Sequence, residues 1–355
     1  MIPSLYQQCI IQTPLSVREA LDRLNSLRNV PLTLFVIAHD GSLLGTLTDG
    51  DIRRGLLAGA TLDSDASSVM MRNFRAIFPG QDAEAVLEEA RSLSLTLIPR
   101  LNDSGSIAEI VDLRKRRAML PLDAVLMAGG RGERLRPLTL TTPKPLLPVG
   151  DKAIIDHNAD ALAACGVRNI FVTVNYKHEL IEEHFAARKP EGTTVECVLE
   201  PAPLGTFGSI GLVSGLSSGN VLIMNSDLLT DLRFEKMYKH HIASGADMTI
   251  ATVPYSVTVP YAILETDEGR CLSLQEKPTY NYLANAGVYI VKRSLLDCIT
   301  GTERVDATDF IEMLLSRPDS KVVTFPIDGT WIDIGSPSDY QAACERMRLA
   351  LSTAE

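Results

Sequence analysis

No two of the six cysteines, at positions 9, 165, 197, 271, 298 and 344, form a CxxC pair, and none belongs to a short-spaced Cys/His set. That spacing argues against a zinc site or redox centre and leaves reduced, partly buried thiols. Nor is any apolar stretch long enough to span a bilayer. The opening residues, Met1-Ile-Pro-Ser-Leu-Tyr-Gln-Gln8, lack the basic and apolar regions of a secretory signal, so a cytoplasmic protein without membrane contact is expected. Positive charge is also short: 34 Lys and Arg against 44 Asp and Glu give a formal charge of −10. This balance argues against nonspecific nucleic-acid binding and requires any phosphate site to be locally basic. The six histidines form no constellation; His178, His184, His240 and His241 fall on expected surface helices and receive no chemistry. With 355 residues, 45% of them hydrophobic and 22% charged, the chain has room for about two domains, each with its own core.

What is present concentrates in one segment. Leu126-Met-Ala-Gly-Gly-Arg-Gly-Glu-Arg-Leu-Arg-Pro-Leu-Thr139 is followed by Thr142-Pro-Lys-Pro-Leu-Leu-Pro-Val149. Glycines 129, 130 and 132 remove the Cβ atoms that would hold a polyanion off the backbone, and they let successive N–H groups converge on phosphate oxygens. Arg131, Arg134, Arg136 and Lys144 supply positive charge beside them. A strand-like run, Ala124 to Met127, precedes the loop, as expected where a ligand sits at the carboxyl end of a strand in an open α/β sheet. Two commoner glycine motifs are excluded. No Gly-Lys-Ser/Thr closes the loop as in a P-loop, and Leu135 stands near where a dinucleotide fingerprint needs its last glycine. The segment reads as a grip for a nucleoside triphosphate.

Downstream, Ile155, Ala159, Leu162 and Ala163 share a helical face, Gly166 ends that helix, and Asn169 to Asn175 continues as a β-branched strand. Further strand-like runs at 194–199 and 220–224, with a helical stretch between elements, predict a mostly parallel sheet with helices on both faces. Val221-Leu-Ile-Met224 suits a central strand and delivers Asn225-Ser226-Asp227 at its carboxyl end. A second aspartate, Asp333, lies in Trp331-Ile-Asp-Ile-Gly-Ser-Pro337, ahead of a helix with Ser336 as N-cap and Asp339 at N3. From position alone, either aspartate is equally a turn or loop residue.

The two-part motif, Gly-Gly-x-Gly-Glu-Arg-Leu-x-Pro with Pro-Lys-Pro-Leu-Leu-Pro-Val, resembles that of the sugar-1-phosphate nucleotidylyltransferases, or nucleotide-sugar pyrophosphorylases, and the resemblance extends over about residues 122–345. It implies an α/β fold with a Rossmann-like sheet of the nucleotide-diphospho-sugar transferase type. It implies nucleotide contacts at Ala128, Gly129, Gly130 and Gly132, catalytic Arg134 and Lys144, and metal-binding Asp227 and Asp333. Two hard carboxylates completed by phosphates and waters suit Mg²⁺, which retains much of its hydration. Glu200-Pro-Ala-Pro-Leu-Gly-Thr-Phe-Gly208 is similar to the family's base-binding segment, which adds Glu200, Gly205 and Thr206. A carboxylate at 200 matches both the N1–H and the 2-amino group of guanine, whereas uracil and thymine offer a single N3–H, so GTP is the favoured nucleotide.

On the acceptor side the resemblance implies sugar-phosphate contacts from Tyr261, Glu276, Lys277 and Asn285, with Ala262 where many relatives have glycine. Mannose, heptose and glucosamine 1-phosphates are all candidate acceptors. Uridylyl-, thymidylyl- and cytidylyltransferases are alternatives within the class. A catalytically silent nucleotide sensor is the alternative outside it, disfavoured by retention of both metal carboxylates.

The first third of the chain carries an internal repeat. A helix over 16–27 opened by Ser16 and Glu19 is followed by a strand at Thr33 to Ala38, a turn at Asp40-Gly41, a strand at Leu43 to Thr48 and a helix from Asp51 to Leu57. A weaker copy has a helix through Ala83, Leu87 and Ala90, then strands at 96–101 and 107–113 about a Ser104-Gly105 turn, with Asp112 in the place of Asp49. The tandem resembles a pair of cystathionine-β-synthase-type (CBS) modules. In that family a Thr-x-x-Asp such as Thr48 and Asp51 holds the ribose of an adenine nucleotide; the same residues equally form a helix N-cap. The resemblance also implies association into a homo-oligomer. The expected division is therefore a tandem pair over 1–115, a linker over 116–122 containing part of the basic run Arg114-Lys-Arg-Arg117, and a catalytic domain over 123–355.

Overall fold

The computed structural model describes residues 2–352, with side chains described to 349; residues 353–355 of the expected catalytic domain lie outside the described residues. The chain divides into two compact units, Met1–Met119 and Leu120–Glu355. Leu120 and Leu122, within the segment read as a linker, are buried, and Leu122 opens a strand.

The first unit contains β1 (Ile10–Gln12), α1 (Val17–Ser26), β2 (Thr33–Ile37), β3 (Leu43–Thr48), α2 (Asp49–Leu57), α3 (Ala83–Ser92), β4 (Leu97–Leu101) and β5 (Ile107–Asp112). β1 runs parallel to β2, which pairs antiparallel with β3, and β4 and β5 form a separate hairpin. Val17, Ala20 and Leu24 of α1 recur at helical spacing and are buried against Leu34, Phe35 and Leu47 of the first hairpin. The Ser16–Glu19 capping box satisfies the start of α1, with Glu19 N–H donating to Ser16 Oγ at 3.2 Å and Ser16 N–H donating to Glu19 Oε2 at 2.8 Å. The second copy pairs α3 with the β4–β5 hairpin, and Leu87, Ala90, Ile98 and Val111 form its small core.

The second unit is built on β6 (Leu122–Ala128), α4 (Ile154–Ala164), β7 (Asn169–Val174), α5 (His178–Ala187), β8 (Thr194–Leu199), β9 (Asn220–Asn225), β10 (Leu228–Thr230), α6 (Phe234–Ser244), β11 (Met248–Thr258), β12 (Ile263–Asp267), β13 (Arg270–Gln275), β14 (Thr279–Lys292), α7 (Ala307–Leu315), β15 (Val322–Pro326), β16 (Trp331–Asp333) and α8 (Pro337–Ser352). Seven strands form one sheet in the order β8-β7-β6-β9-β14-β11-β15. All its pairings are parallel except those made by β14, which runs antiparallel to both β9 and β11. β6 and β9 are apolar along almost their whole length because both faces are covered. On one face Val125, Val221, Ile223 and Tyr289 pack with Phe207 and with Phe310 of α7.

Two features position the site. The parallel register pairs Asn225 with Met127, so the loops after β6 and β9 leave the sheet side by side at its carboxyl edge. A separate two-stranded ladder then pairs β10 with β16, opposing Leu228 to Asp333. β11 and β14 also outrun the sheet: their buried halves lie in it, and their largely exposed ends, 253–258 and 279–284, continue as a two-stranded arm.

His241 departs from the surface position expected for it. It lies on the buried side of α6, between the Thr249 hydroxyl at 2.8 Å and Asn220 Oδ1 at 3.1 Å. Burial, reinforced by the Lys292 charge, pushes its pKa down to about 4. The unfolded chain therefore takes up this proton first as pH falls, so the stability contribution present above about pH 6.5 is lost towards pH 4. The expected loss attributable to this group is on the order of 3 kcal/mol. Urea denaturation of wild type and His241→Gln across that range checks it, and equal pH slopes in the two proteins would exclude His241 as the cause.

Candidate functional site

The glycine loop leaves β6 at Ala128. Gly129 faces the buried carboxylate of Glu200, and a Cβ at 129 would overlap that carboxylate. Gly132 adopts φ +60°, a left-handed conformation that favours glycine, and a Cβ there would lie 2.9 Å from Thr139 Cγ2. The Thr139 hydroxyl donates to Gly132 O at 2.8 Å and fixes the turn. Gly130 faces open space, which leaves its backbone accessible from the loop's outer side.

Glu200 follows β8, where its N–H donates to Val174 O and Asn175 Nδ2 donates to its carbonyl at 3.1 Å. Burial pushes its carboxyl pKa up, and the Leu204 N–H donating to Oε2 at 3.3 Å opposes that rise. The carboxylate thus forms one wall of the space above the glycine loop.

Asp227 and Asp333 come together through backbone pairing. Ile334 N–H donates to Asp227 O at 3.2 Å, extending the β10–β16 ladder. Lys144, from the Pro-Lys-Pro segment, brings its ammonium to Asp227 Oδ2 and lies 4.0 Å from Asp333 Oδ1. Burial and then the Asp227 charge push the Asp333 carboxyl up, against the pull of Lys144 and Arg134. The Arg134 guanidinium lies against Gly335, two residues beyond Asp333. Arg136, by contrast, turns to Glu133 at 3.5 Å. Asp227 Oδ1 is buried without a hydrogen-bond partner, an unsatisfied acceptor beside a second carboxylate. Such a pair of hard oxygens fits Mg²⁺ that keeps other ligands from phosphate and water. Among the described residues, no group of three or more His, Cys, Asp or Glu is arranged to hold a metal by itself.

Gly205 and Thr206 make a brace. Thr206 N–H donates to Asp306 Oδ1 at 3.2 Å, and Ala307 N–H donates to the Thr206 hydroxyl at 2.7 Å. The hydroxyl thereby satisfies the start of α7. Asp306 was not legible as part of this region because 100 residues separate it from Thr206. Asn158 was also missed: buried in α4, it donates to Ser226 O at 3.1 Å and steadies the residue before Asp227. A polar residue beside Ala159 on an otherwise apolar helical face was its available signal.

The acceptor candidates lie on the arm and its connections. Tyr261 is 74% exposed, Glu276 and Lys277 are exposed on the turn between β13 and β14, and Asn285 donates to Tyr289 OH at 2.9 Å. Trp331 is anchored by its indole N–H to Ala286 O at 2.9 Å, a packing role. In the first unit, Thr48 and Asp51 form a capping box for α2. Thr48 N–H and hydroxyl donate to Asp51 Oδ2 at 2.9 and 2.6 Å, Asp51 N–H donates back at 3.3 Å, and Arg54 pairs with Oδ1 at 2.6 Å.

An open, mostly parallel sheet flanked by helices, with its loops converging at the carboxyl edge, defines a mixed α/β protein of the nucleotide-diphospho-sugar transferase type. A family model described as nucleotidyl transferase matches residues 123–348, and the chain belongs to that family. It is 32% identical over 225 residues to the mannose-1-phosphate guanylyltransferase of Mycobacterium tuberculosis, covering 62% of each chain. It is 31% identical over 230 residues to the D-glycero-alpha-D-manno-heptose 1-phosphate guanylyltransferase of Aneurinibacillus thermoaerophilus, covering 64% of this chain and 99% of that one. The chain therefore spans about three fifths of the former and nearly all of the latter. A crystal structure of HddC from Yersinia pseudotuberculosis complexed with GMP-PN shares the fold, with TM-score 0.51 and 24% identity over 64% of this chain and 99% of that one. Among the described residues, no helix is long and apolar enough to cross a membrane.

The Lys144 contact carries a measurable consequence. Removing one partner of a fully buried ion pair costs about 3–5 kcal/mol, and the partial exposure of both aspartates reduces this. Lys144→Met is therefore expected to lose about 1–2 kcal/mol of folding stability in metal-free buffer. Urea denaturation reads the difference; unchanged stability would show that Lys144 does not neutralise this pair.

Proposed function

We propose that this protein is a sugar-1-phosphate guanylyltransferase that forms a GDP-sugar and pyrophosphate from GTP and a sugar 1-phosphate. The observation that carries the reading is the convergence of Asp227, Asp333 and Lys144 where the central strands exit, beside the glycine loop. The names of the mannose- and heptose-specific relatives support both the guanylyl group and an acceptor of manno configuration.

In the proposed reaction an oxygen of the sugar phosphate attacks the α-phosphorus of GTP, the bond to the β-phosphate oxygen breaks, and pyrophosphate leaves with that electron pair. The attacking phosphate is already ionised near neutral pH, so no protein base or nucleophile is required, and alignment and charge neutralisation supply the rate. The glycine loop offers backbone N–H groups to the triphosphate, with Arg134 and Lys144 offsetting charge on the chain and the departing pyrophosphate. Asp227 and Asp333 would hold Mg²⁺, which when bound supplies charge neutralisation at the reacting phosphates. Glu200 accepts from the guanine N1–H and 2-amino groups. Gly205 and Thr206 hold the segment beyond Glu200 in place through the Asp306 brace, while Tyr261, Glu276, Lys277 and Asn285 contact the sugar phosphate.

For the N-terminal unit we propose the architecture of a CBS-type pair with a structural or assembling role. The capping box already occupies Thr48 and Asp51 with the start of α2. A thermal-shift screen with AMP, ATP and GMP is expected to show no nucleotide-dependent change there; a shift abolished by Asp51→Asn would instead assign an adenine-nucleotide site.

The activity is tested by Mg²⁺-dependent pyrophosphate release from GTP, UTP, dTTP, CTP and ATP with mannose, heptose, glucosamine and glucose 1-phosphates. GTP with a manno-configured acceptor is the expected pair. Asp227→Asn should slow turnover roughly 100- to 1,000-fold with the fold retained, and Glu200→Gln should narrow the preference for GTP over UTP. Release from UTP alone would overturn the guanine assignment, and absence of release from every pair would favour a nucleotide-binding regulator.

A further inference from the structure

A second, smaller core accompanies the site residues and is distinct from the one that covers the sheet. Leu135, Leu147, Ile334 and Ala343 are among its buried members, with Leu229 and Tyr340 packed against them. Its members sit beside the site residues in sequence: Leu135 follows Arg134, Leu147 lies three residues past Lys144, Leu229 two past Asp227 and Ile334 one past Asp333. α8 contributes Ala343 and Tyr340 to it. The segment that carries Lys144 also gives its carbonyls to the helices around it. Leu147 O accepts from Ile154 N–H at 3.0 Å and Val149 O from His157 Nε2 at 2.8 Å, both on α4. Pro148 O accepts from the Tyr340 hydroxyl of α8 at 2.7 Å, across 192 residues. Three consecutive carbonyls are thus held from two helices.

We infer that Tyr340 is a positioning residue for Lys144, fixing from α8 the segment that presents the ammonium to the two carboxylates. The contacts close a ring. Asp333 lies seven residues before Tyr340, Tyr340 binds Pro148, Pro148 lies four residues after Lys144, and the Lys144 ammonium returns to 4.0 Å from Asp333 Oδ1. Charge attraction closes one side of the ring, and the Tyr340 hydroxyl closes the other. The chain between Lys144 and Pro148 is short and stiff enough to transmit the restraint. Leu147 N–H donates to Lys144 O at 3.1 Å, and Pro143, Pro145 and Pro148 each have a fixed φ. Lysine carries its charge on a flexible four-carbon stem, so its ammonium is placed only as well as the backbone below it is held. Pro148 is exposed, so water replaces the bond when the hydroxyl is lost and little stability goes with it. What the hydroxyl contributes is geometry. A triphosphate that draws on the ammonium weakens its ion pairs to the aspartates, whereas a hydroxyl-to-carbonyl bond does not depend on that charge. The Tyr340 contact is therefore the restraint that persists through the transfer, and this part of the inference rests on the reading of Lys144 given under the proposed function.

Tyr340→Phe keeps the ring in the core and removes only the hydroxyl. Lys144 is the direct reporter, because its side chain is 11% exposed and reacts slowly while it is held. Brief treatment of the full chain with N-hydroxysuccinimidyl acetate, followed by peptide mass spectrometry, reads its acetylation rate against those of the exposed Lys189, Lys236 and Lys321. The variant is expected to acetylate at Lys144 at least about 3-fold faster, with the reference lysines unchanged. In the pyrophosphate-release assay kcat should fall roughly 3- to 10-fold while the KM for GTP stays within about 2-fold. The same substitution in a Lys144→Met background should cost nothing further, since the two residues act as one unit. An unchanged Lys144 rate, or a rise shared by the reference lysines, overturns the proposal. So does an equal loss of kcat in both backgrounds, or a loss carried by KM alone. A wild type that turns over no substrate pair defeats the proposed activity, and the acetylation rates, which need neither nucleotide nor sugar, still decide the role of Tyr340.

Discussion

The Lys144 ammonium is the constraint around which the catalytic unit is arranged. Two carboxylates delivered by different strands to one place repel each other and lose hydration, and a fixed internal cation makes their approach tolerable. The fold provides that cation from a proline-bounded segment soon after the glycine loop, so the loop and the cation that meets the carboxylate pair share one chain segment. The short β10–β16 ladder then fixes the spacing of the aspartates through main-chain hydrogen bonds, leaving their side chains available for chemistry.

The parts legible in the sequence were those written locally. Gly129 to Gly132, the capping boxes at Ser16 and Thr48, and the apolar run ending at Asn225 each depend on residues a few positions apart, and the corresponding elements lie within a residue or two of their expected bounds. The motif order marks Lys144, Asp227 and Asp333 as one set, and the structure brings both carboxylates within ion-pair range of the ammonium. The parts that were not legible depend on long-range pairing. The arm forms because 253–258 meets 279–284 across the intervening hairpin, and neither segment announces a partner by itself. His241 is buried because Asn220 and Thr249 come from other elements, which a two-histidine sequence on a polar helix does not reveal.

Thr206 illustrates how one residue type supports two accounts. Its place in a Leu-Gly-Thr motif points towards the nucleotide, whereas its hydroxyl and N–H are both engaged with Asp306 and Ala307. The brace holds the segment that follows Glu200 in place from 100 residues away, so the position of that segment depends on a distant part of the chain.

The close approach of Gly129 to Glu200 has a consequence for how such a chain can diverge. A Cβ at 129 requires the Glu200 carboxylate to shift, so changes at the two positions are coupled. A lineage gaining a side chain at 129 would have to shorten or turn the one at 200. Shortening at 200 first removes the contact, whereas a Cβ arriving first at 129 has to displace a buried carboxylate.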